Sequence, residues 1–378
     1  MPADPVDLDD APAIEAADAS NMLEAVASSA AQIRAAGSVV ADVGFELVDA
    51  GQRPRSIVCV GMGGSGVAGD VLRAVLGPGV PVPIWVHKDL GVPGWVGVND
   101  LVLAVSCSGT TQETLSAGAE AARRGAVVVG IGAPNSPLEA VVEKARGQYF
   151  PVPAGRQPRA SLWSLAVPAL LLAEHLGLVA ERLDLEAAAV SLEGAAAKCA
   201  VARDTLVNPA KSLALRLGGN VVTQIWGCSP LTAAAAYRFA CQLNENAKMA
   251  AAYGVLPEAA HNQIVAFDGV GTAGGGRDIF ADPYEGGYAA AVPELVQVLL
   301  RDPGAESEPV ARRADIAVSL AEDRGIRVEQ LVAEGATRLE RLARMIGLID
   351  FTSVYVGIAA GHDPTPVDAI GSLKRELA

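Results

Sequence analysis

The chain reads as an α/β protein of two units, each a parallel sheet flanked by helices. Three observations predict this. A strand–turn–helix junction occurs twice. Ser56-Ile-Val-Cys-Val60 runs into Gly61-Met-Gly-Gly-Ser-Gly66, and about forty-five residues later Leu101-Val-Leu-Ala-Val105 runs into Ser106-Cys-Ser-Gly-Thr-Thr111. Apolar residues make up 51% of the chain, enough to fill sheets buried on both faces. A length of 378 residues exceeds one typical domain and suits two α/β units of about 150 residues each.

Residues 1–50 begin polar and turn helical at Asn21-Met-Leu-Glu-Ala-Val26, continuing as an alanine-rich amphipathic stretch to about Gly37. The first α/β unit covers 51–155, with Pro83-Ile-Trp-Val86 between the two junctions and Gly125-Ala-Val-Val-Val-Gly130 as its closing strand. Pro151, Pro153 and Pro158 mark a crossing loop. Residues 156–207 form a helical connection, helical from Ser161 to Leu178 and again up to Lys198. The second unit, 208–378, has strands at Asn220–Gly227 and Val292–Leu300. Its helices are Leu231–Ala251, Pro309–Asp323 and a long helical region from Val328 to Ala360. Between these, the glycine-rich stretch 269–287 reads as a surface loop.

The two turns carry the functional signal. Helix N-termini present unpaired N–H groups and the positive end of the helix dipole, so they attract phosphate. Two of them side by side, with Ser65, Ser106, Ser108 and Thr111, make a pocket for a phosphorylated small molecule. Gly61, Gly63 and Gly66 also satisfy the dinucleotide fingerprint, with Asp89 near the position of a ribose ligand. Against a dinucleotide stands the second, hydroxyl-rich turn, which a sugar phosphate needs and a dinucleotide does not.

Composition excludes several classes. A net charge of −14 argues against general nucleic-acid or membrane-surface binding. The apolar stretch from Leu162 to Leu178 is interrupted by Pro168, Glu174 and His175, too short to span a bilayer, and the first residues lack the pattern of a signal peptide. Five cysteines without a C-x-x-C pair read as reduced thiols in the cytoplasm. Four histidines without H-x-H or H-E-x-x-H spacing leave little support for a metal, and no cofactor is expected.

The paired turns resemble the sugar isomerase (SIS) domain, in which Ser-x-Ser-Gly-x-Thr is the phosphate loop. An ordered set of further segments narrows the resemblance to the bifunctional phosphoglucose/phosphomannose isomerases of the phosphoglucose isomerase superfamily. These are Gln157-Pro-Arg-Ala-Ser-Leu162, Gln242-Leu-Asn-Glu-Asn-Ala-Lys248, Ala260-His-Asn262, Val298-Leu-Leu-Arg-Asp302, Gly347-Leu-Ile-Asp-Phe351, and Asp363-Pro-Thr-Pro-Val367 with Leu373-Lys374. They cover most of the chain from about residue 55 onward.

The resemblance implies two SIS-type domains and a metal-independent aldose–ketose isomerase. It would interconvert glucose 6-phosphate and/or mannose 6-phosphate with fructose 6-phosphate through an enediol. It places phosphate on Gly63, Gly64, Ser65, Ser106, Ser108 and Thr111. It makes Glu245 the proton-transferring carboxylate and Arg159 the countercharge to the developing enediolate. His261 and Lys374 would open the sugar ring, the histidine reaching in from the neighbouring subunit of a homodimer.

Two departures stand out. The family usually carries an acidic residue where this chain has Gln263, and Cys107 and Thr110 fill the variable slots of the phosphate loop. Three other readings stay open: a non-catalytic sugar-phosphate-binding SIS protein, an isomerase of another sugar phosphate, and an NAD-dependent enzyme using the first turn.

Overall fold

A computed structural model describes residues 5–180, 182–269 and 293–376. All but the first residue of the 269–287 glycine-rich stretch lies outside them. The described residues divide into two compact units, one drawn from 24–195 with 335–344, the other from 1–23, 196–334 and 345–378.

The first unit is a five-stranded parallel sheet. Its strands are β1 (Ile57–Val60), β2 (Ile84–His87), β3 (Leu101–Ser106), β4 (Val127–Gly132) and β5 (Gln148–Pro151), in the order β2-β1-β3-β4-β5. β1 and β3 are buried at every position, as their unbroken apolar runs require of strands covered on both faces. Val60 lies beside Ala104 in register, so β3 runs two residues past the end of β1, and both turns leave the same edge of the sheet. The chain crosses from β2 back over β1 to reach β3, which makes the gap between β1 and β3 the switch point, where such sheets bind ligands. A dinucleotide domain orders its strands 3-2-1-4-5-6, so the order seen here also weighs against that reading.

The second unit is a four-stranded parallel sheet of β6 (Val221–Gly227), β7 (Ala251–Val255), β8 (Glu294–Arg301) and β9 (Arg327–Val332), ordered β7-β6-β8-β9. It has the same kind of switch point, between β6 and β8. Helices Pro230–Asn246 and Glu308–Asp323 follow β6 and β8 as crossovers. Trp226, Phe267 and Leu299 centre one apolar cluster of this unit.

Several boundaries depart from the sequence-based expectation. The amphipathic helix runs through Gly37 to Val43, where Gly44 caps it by donating its amide to the Val40 carbonyl at 2.9 Å. The expected helix 231–251 stops at Asn246, and the residues after it form β7. The expected helical region 328–360 is instead β9 followed by helix Arg338–Ala359. β9 carries Arg, Glu and Gln among its six residues and reads poorly as a strand, but parallel pairing with β8 from Arg327 to Val332 decides its state. Arg338–Ala359 is long and apolar enough to cross a membrane by length and composition, and 83% of its apolar window is buried inside the protein.

Candidate active site

Helix Gly63–Leu76 starts at the first turn and helix Gln112–Arg123 at the second. Neither is capped by a side chain: Met62 and Thr111 hold the cap positions without a cap hydrogen bond. Their first amides are therefore available to an anion. Ser65 is buried, and its hydroxyl oxygen accepts the Cys107 amide at 3.1 Å, which joins the two turns. That bond uses an oxygen lone pair and leaves the Ser65 hydrogen to donate. Ser106, fully buried, donates to the Thr111 hydroxyl oxygen at 2.9 Å, which leaves the Thr111 hydrogen in the same position. Ser108 is exposed and bonds Thr110 at 2.9 Å. Within the expected phosphate set, Ser106 thus orients Thr111.

Two details keep this loop suited to an anion. Gly109 has φ +67°, and a β-carbon there would collide with the Ser136 side chain, so glycine is required for the turn's path. Burial pushes the Cys107 thiol up, against the opposing pull of the Ser161 hydroxyl and Arg156. No thiolate then competes with phosphate. Asp89, the ribose candidate of the dinucleotide reading, is exposed and accepts the Leu90 amide at 2.7 Å in a local turn.

The corresponding switch point of the four-stranded unit is built differently. Ser229 and Thr232 form a complete capping box at helix Pro230–Asn246. The buried Ser229 hydroxyl also donates to the Asp302 carboxylate at 2.9 Å. There the helix start is engaged by the protein's own hydroxyls, one of them bonded to a carboxylate. At the switch point between β1 and β3 both helix starts lack a side-chain cap, whereas at the other only helix Glu308–Asp323 does.

Arg159 lies in the five-stranded unit, on the 3₁₀ turn Pro158–Ala160, and is 3% exposed. Three contacts hold this turn. Gln32 donates to the Ala160 carbonyl at 2.7 Å, the Ser161 hydroxyl donates to the Gln157 carbonyl at 2.9 Å, and the backbone packs on Gly64. A β-carbon on Gly64 would meet the Pro158 carbonyl carbon at 2.9 Å. The structure therefore brings Arg159 together with the phosphate turns.

Glu245, His261 and Lys374 belong to the four-stranded unit. Glu245 is in the last turn of helix Pro230–Asn246, half-buried between two asparagines with separate tasks. The Asn244 side chain accepts the Ala251 amide at 3.2 Å and starts β7. Asn246, fully buried, donates to the Ser353 hydroxyl at 2.9 Å. Arg238 and Gln242 on the same helix both bind Asp350, the latter at 3.1 Å, and so anchor it to residues 345–359. This explains the Asn-Glu-Asn triplet: the asparagines fix the helix end, and the glutamate between them is held by its neighbours.

Lys248 is a residue whose role the sequence alone did not reveal. Its ammonium donates to the Glu245 carbonyl at 2.7 Å and to the Pro364 carbonyl at 2.9 Å. It clamps the Asp363–Val367 turn to the end of the helix that bears Glu245. Lys374 is exposed on the following helix Asp368–Glu376, which buries no residue. His261 is exposed at the end of the 3₁₀ helix Glu258–His261. Neither side chain makes a hydrogen bond or ion pair among the described residues, so no such bond joins them to Glu245. Gln263 turns inward, accepting the Trp226 indole N–H at 2.8 Å and donating to the Tyr253 carbonyl at 3.1 Å. Among the described residues, no three His, Cys, Asp or Glu side chains gather as metal ligands would.

Comparison with known proteins follows this division. Residues 206–377 match the family model described as the bacterial phospho-glucose isomerase C-terminal SIS domain. A protein of Caldicellulosiruptor bescii named bifunctional phosphoglucose/phosphomannose isomerase is 30% identical over 85% of this chain and 89% of its own length. One of the same name from Aquifex aeolicus is 31% identical over 85% of this chain and 90% of its own. Among solved structures, a hypothetical protein from Thermus thermophilus superposes with a TM-score of 0.68 at 17% identity, covering 97% of this chain and 94% of its own.

Proposed function

The chain belongs to the bifunctional phosphoglucose/phosphomannose isomerase family and is a sugar-phosphate isomerase, and from that membership we propose a metal-independent aldose–ketose isomerisation with Glu245 as its proton-transfer residue. The substrates are glucose 6-phosphate and mannose 6-phosphate, each converted to fructose 6-phosphate. Their phosphate is held by the uncapped amides at Gly63 and Gly64 and by the hydroxyls of Ser65, Thr111 and Ser108.

Glu245 takes the C2 proton of the open-chain aldose, the C1 carbonyl oxygen gains charge, and an enediolate forms. The same carboxyl then returns the proton to C1 while the hydroxyl proton passes from O2 to O1, leaving a ketone at C2. The intermediate is planar at C2, so both epimers reach the same species. Arg159 offsets the enediolate charge. His261 and Lys374 open the ring, with His261 contributed by a second copy of the chain in a homodimer. The enzyme works in the reducing cytoplasm, where its cysteines stay thiols.

The observation that carries this reading is the half-buried Glu245 fixed between two anchored asparagines. The test is fructose 6-phosphate formation from each aldose, with EDTA present. Wild type turns over both. Glu245→Gln loses at least about a thousand-fold in kcat yet still binds fructose 6-phosphate. Undiminished turnover by Glu245→Gln would remove the carboxylate from the mechanism.

A further inference from the structure

Helix Gly63–Leu76 has the phosphate turn at one end and a cavity at the other. Fourteen residues at 1.5 Å each separate them by roughly 20 Å. The cavity has a volume of about 510 Å³ and lies wholly within the five-stranded unit. Leu76, Val80 and Leu178 supply apolar wall, and Arg182, Arg338 and Arg341 supply charge. Among the described residues of the wall Asp184 is the one carboxylate, and it is already engaged, accepting the Ala187 amide at 2.9 Å.

Two of these three arginines have no partner among the described residues: Arg182 and Arg338 make no hydrogen bond or ion pair there. Arg338 is half-buried, and its guanidinium fills the space where a β-carbon of Gly77 would stand. The nearby helix start is closed on itself: Thr337 accepts the Glu340 amide at 3.1 Å, and Glu340 accepts the Ala336 amide at 2.8 Å. What the cavity offers a ligand is therefore guanidinium groups set against an apolar wall. Guanidinium pairs in two-point fashion with phosphate, and a cavity of this size accommodates a small organic molecule.

We propose that this cavity is a second ligand site, taking a small organic phosphate whose phosphate pairs with Arg182 and Arg338 and whose body lies on the Leu76–Val80–Leu178 wall. It is separate from the catalytic phosphate turns and does not depend on the roles assigned to Glu245 or His261.

Calorimetric titration with AMP and with inorganic pyrophosphate tests it, using wild type, Arg182→Glu, Arg338→Ala and the loop variant Ser65→Ala/Thr111→Val. Arg182 is exposed, so its variant leaves folding intact even if Arg338→Ala does not. AMP binding is expected to persist in the loop variant and to weaken at least about ten-fold in Arg182→Glu and in Arg338→Ala. Pyrophosphate, which lacks an apolar body, is expected to bind the cavity more weakly than AMP. Binding abolished by the loop variant and untouched by Arg182→Glu overturns the proposal. So does the absence of saturable AMP binding at millimolar concentration.

Discussion

Gly64 stands against the backbone of Arg159 so closely that a β-carbon on Gly64 would lie 2.8 Å from the Arg159 amide nitrogen. The turn that receives phosphate and the turn that supplies the arginine thus share one packed contact, and neither moves without the other. Gly64→Ala is expected to destabilise the protein by about 1–3 kcal/mol through overpacking. It should lower kcat/KM about ten- to hundred-fold by displacing Arg159. Gly63→Ala is the control. It meets nothing within 4 Å, and at φ +51° it strains the backbone by only about 1–2 kcal/mol. Thermal melting and steady-state kinetics on both variants separate strain from displacement. Equal kinetic losses would show that the Arg159 contact is not the cause.

Acid sensitivity of the five-stranded unit traces to Asp100, which is 1% exposed at the start of β3. Burial works against its charge, but Arg55, the Ser56 hydroxyl and the Gly97 amide outweigh burial and hold the carboxyl below its ordinary 3.8. A lowered folded-state value gives stability that is present above 3.8 and is lost as pH falls through it toward the folded value. Asp100→Asn should therefore be less stable than wild type at about pH 6, with the gap narrowing below about pH 4. Urea titrations at the two pH values measure the gap. A gap that stays constant would mean the carboxylate's charge is not what stabilises the unit.

Thiol chemistry should be selective. Burial pushes the Cys59 and Cys228 thiols up to about 12, and Cys241 alone among the five cysteines is not fully buried. Iodoacetamide at about pH 8 should label Cys241 well before Cys59 or Cys228 in the native protein. Mass spectrometry of timed digests reads this out, and early labelling of Cys59 would reveal opening of the β1 core.

Lys248 ties the Pro364 turn to the helix of Glu245 through two carbonyls. Lys248→Met should free the segment leading to Lys374, lowering kcat about ten-fold while leaving KM close to wild type. Lys248→Arg, which keeps a donor, should recover part of the loss. An unchanged kcat in Lys248→Met would detach this clamp from catalysis.

If His261 acts in the partner's site, mixed dimers restore function. His261→Ala and Glu245→Gln subunits, each inactive alone, should give about a quarter of wild-type activity after random exchange, since half of the dimers are mixed and each holds one intact site. No recovery after exchange verified by mass spectrometry would return His261 to its own subunit.

The paired turns were legible in the sequence because short apolar runs leading into glycine- and hydroxyl-rich turns have few alternative structures. β1 and β3 formed where Val, Ile and Leu said they would. β5, β7 and β9 were not legible, and the reason is physical. Ala251-Ala-Tyr-Gly-Val255 and Arg327-Val-Glu-Gln-Leu-Val332 hold weak strand formers, and only pairing with β6 and β8 decides their state. In the candidate site, residue types and family pattern pointed to Arg159, Glu245 and the hydroxyls. The separate tasks of Asn244, Asn246 and Lys248 depend on partners 7 to 116 residues away, which no local pattern encodes.

The Ser229–Asp302 bond has a consequence for where an anion can settle in this protein. A sheet of the same crossover type is present twice, yet one copy carries its own plug. Replacing Ser229 with glycine and Asp302 with alanine would remove the hydroxyl and the carboxylate and release the Thr232 amide, while the Thr232 hydroxyl would still hold the amides of residues 228 and 229. In the four-stranded unit the start of helix Pro230–Asn246 is thus kept from an anion by its own side chains, not by the topology of its sheet.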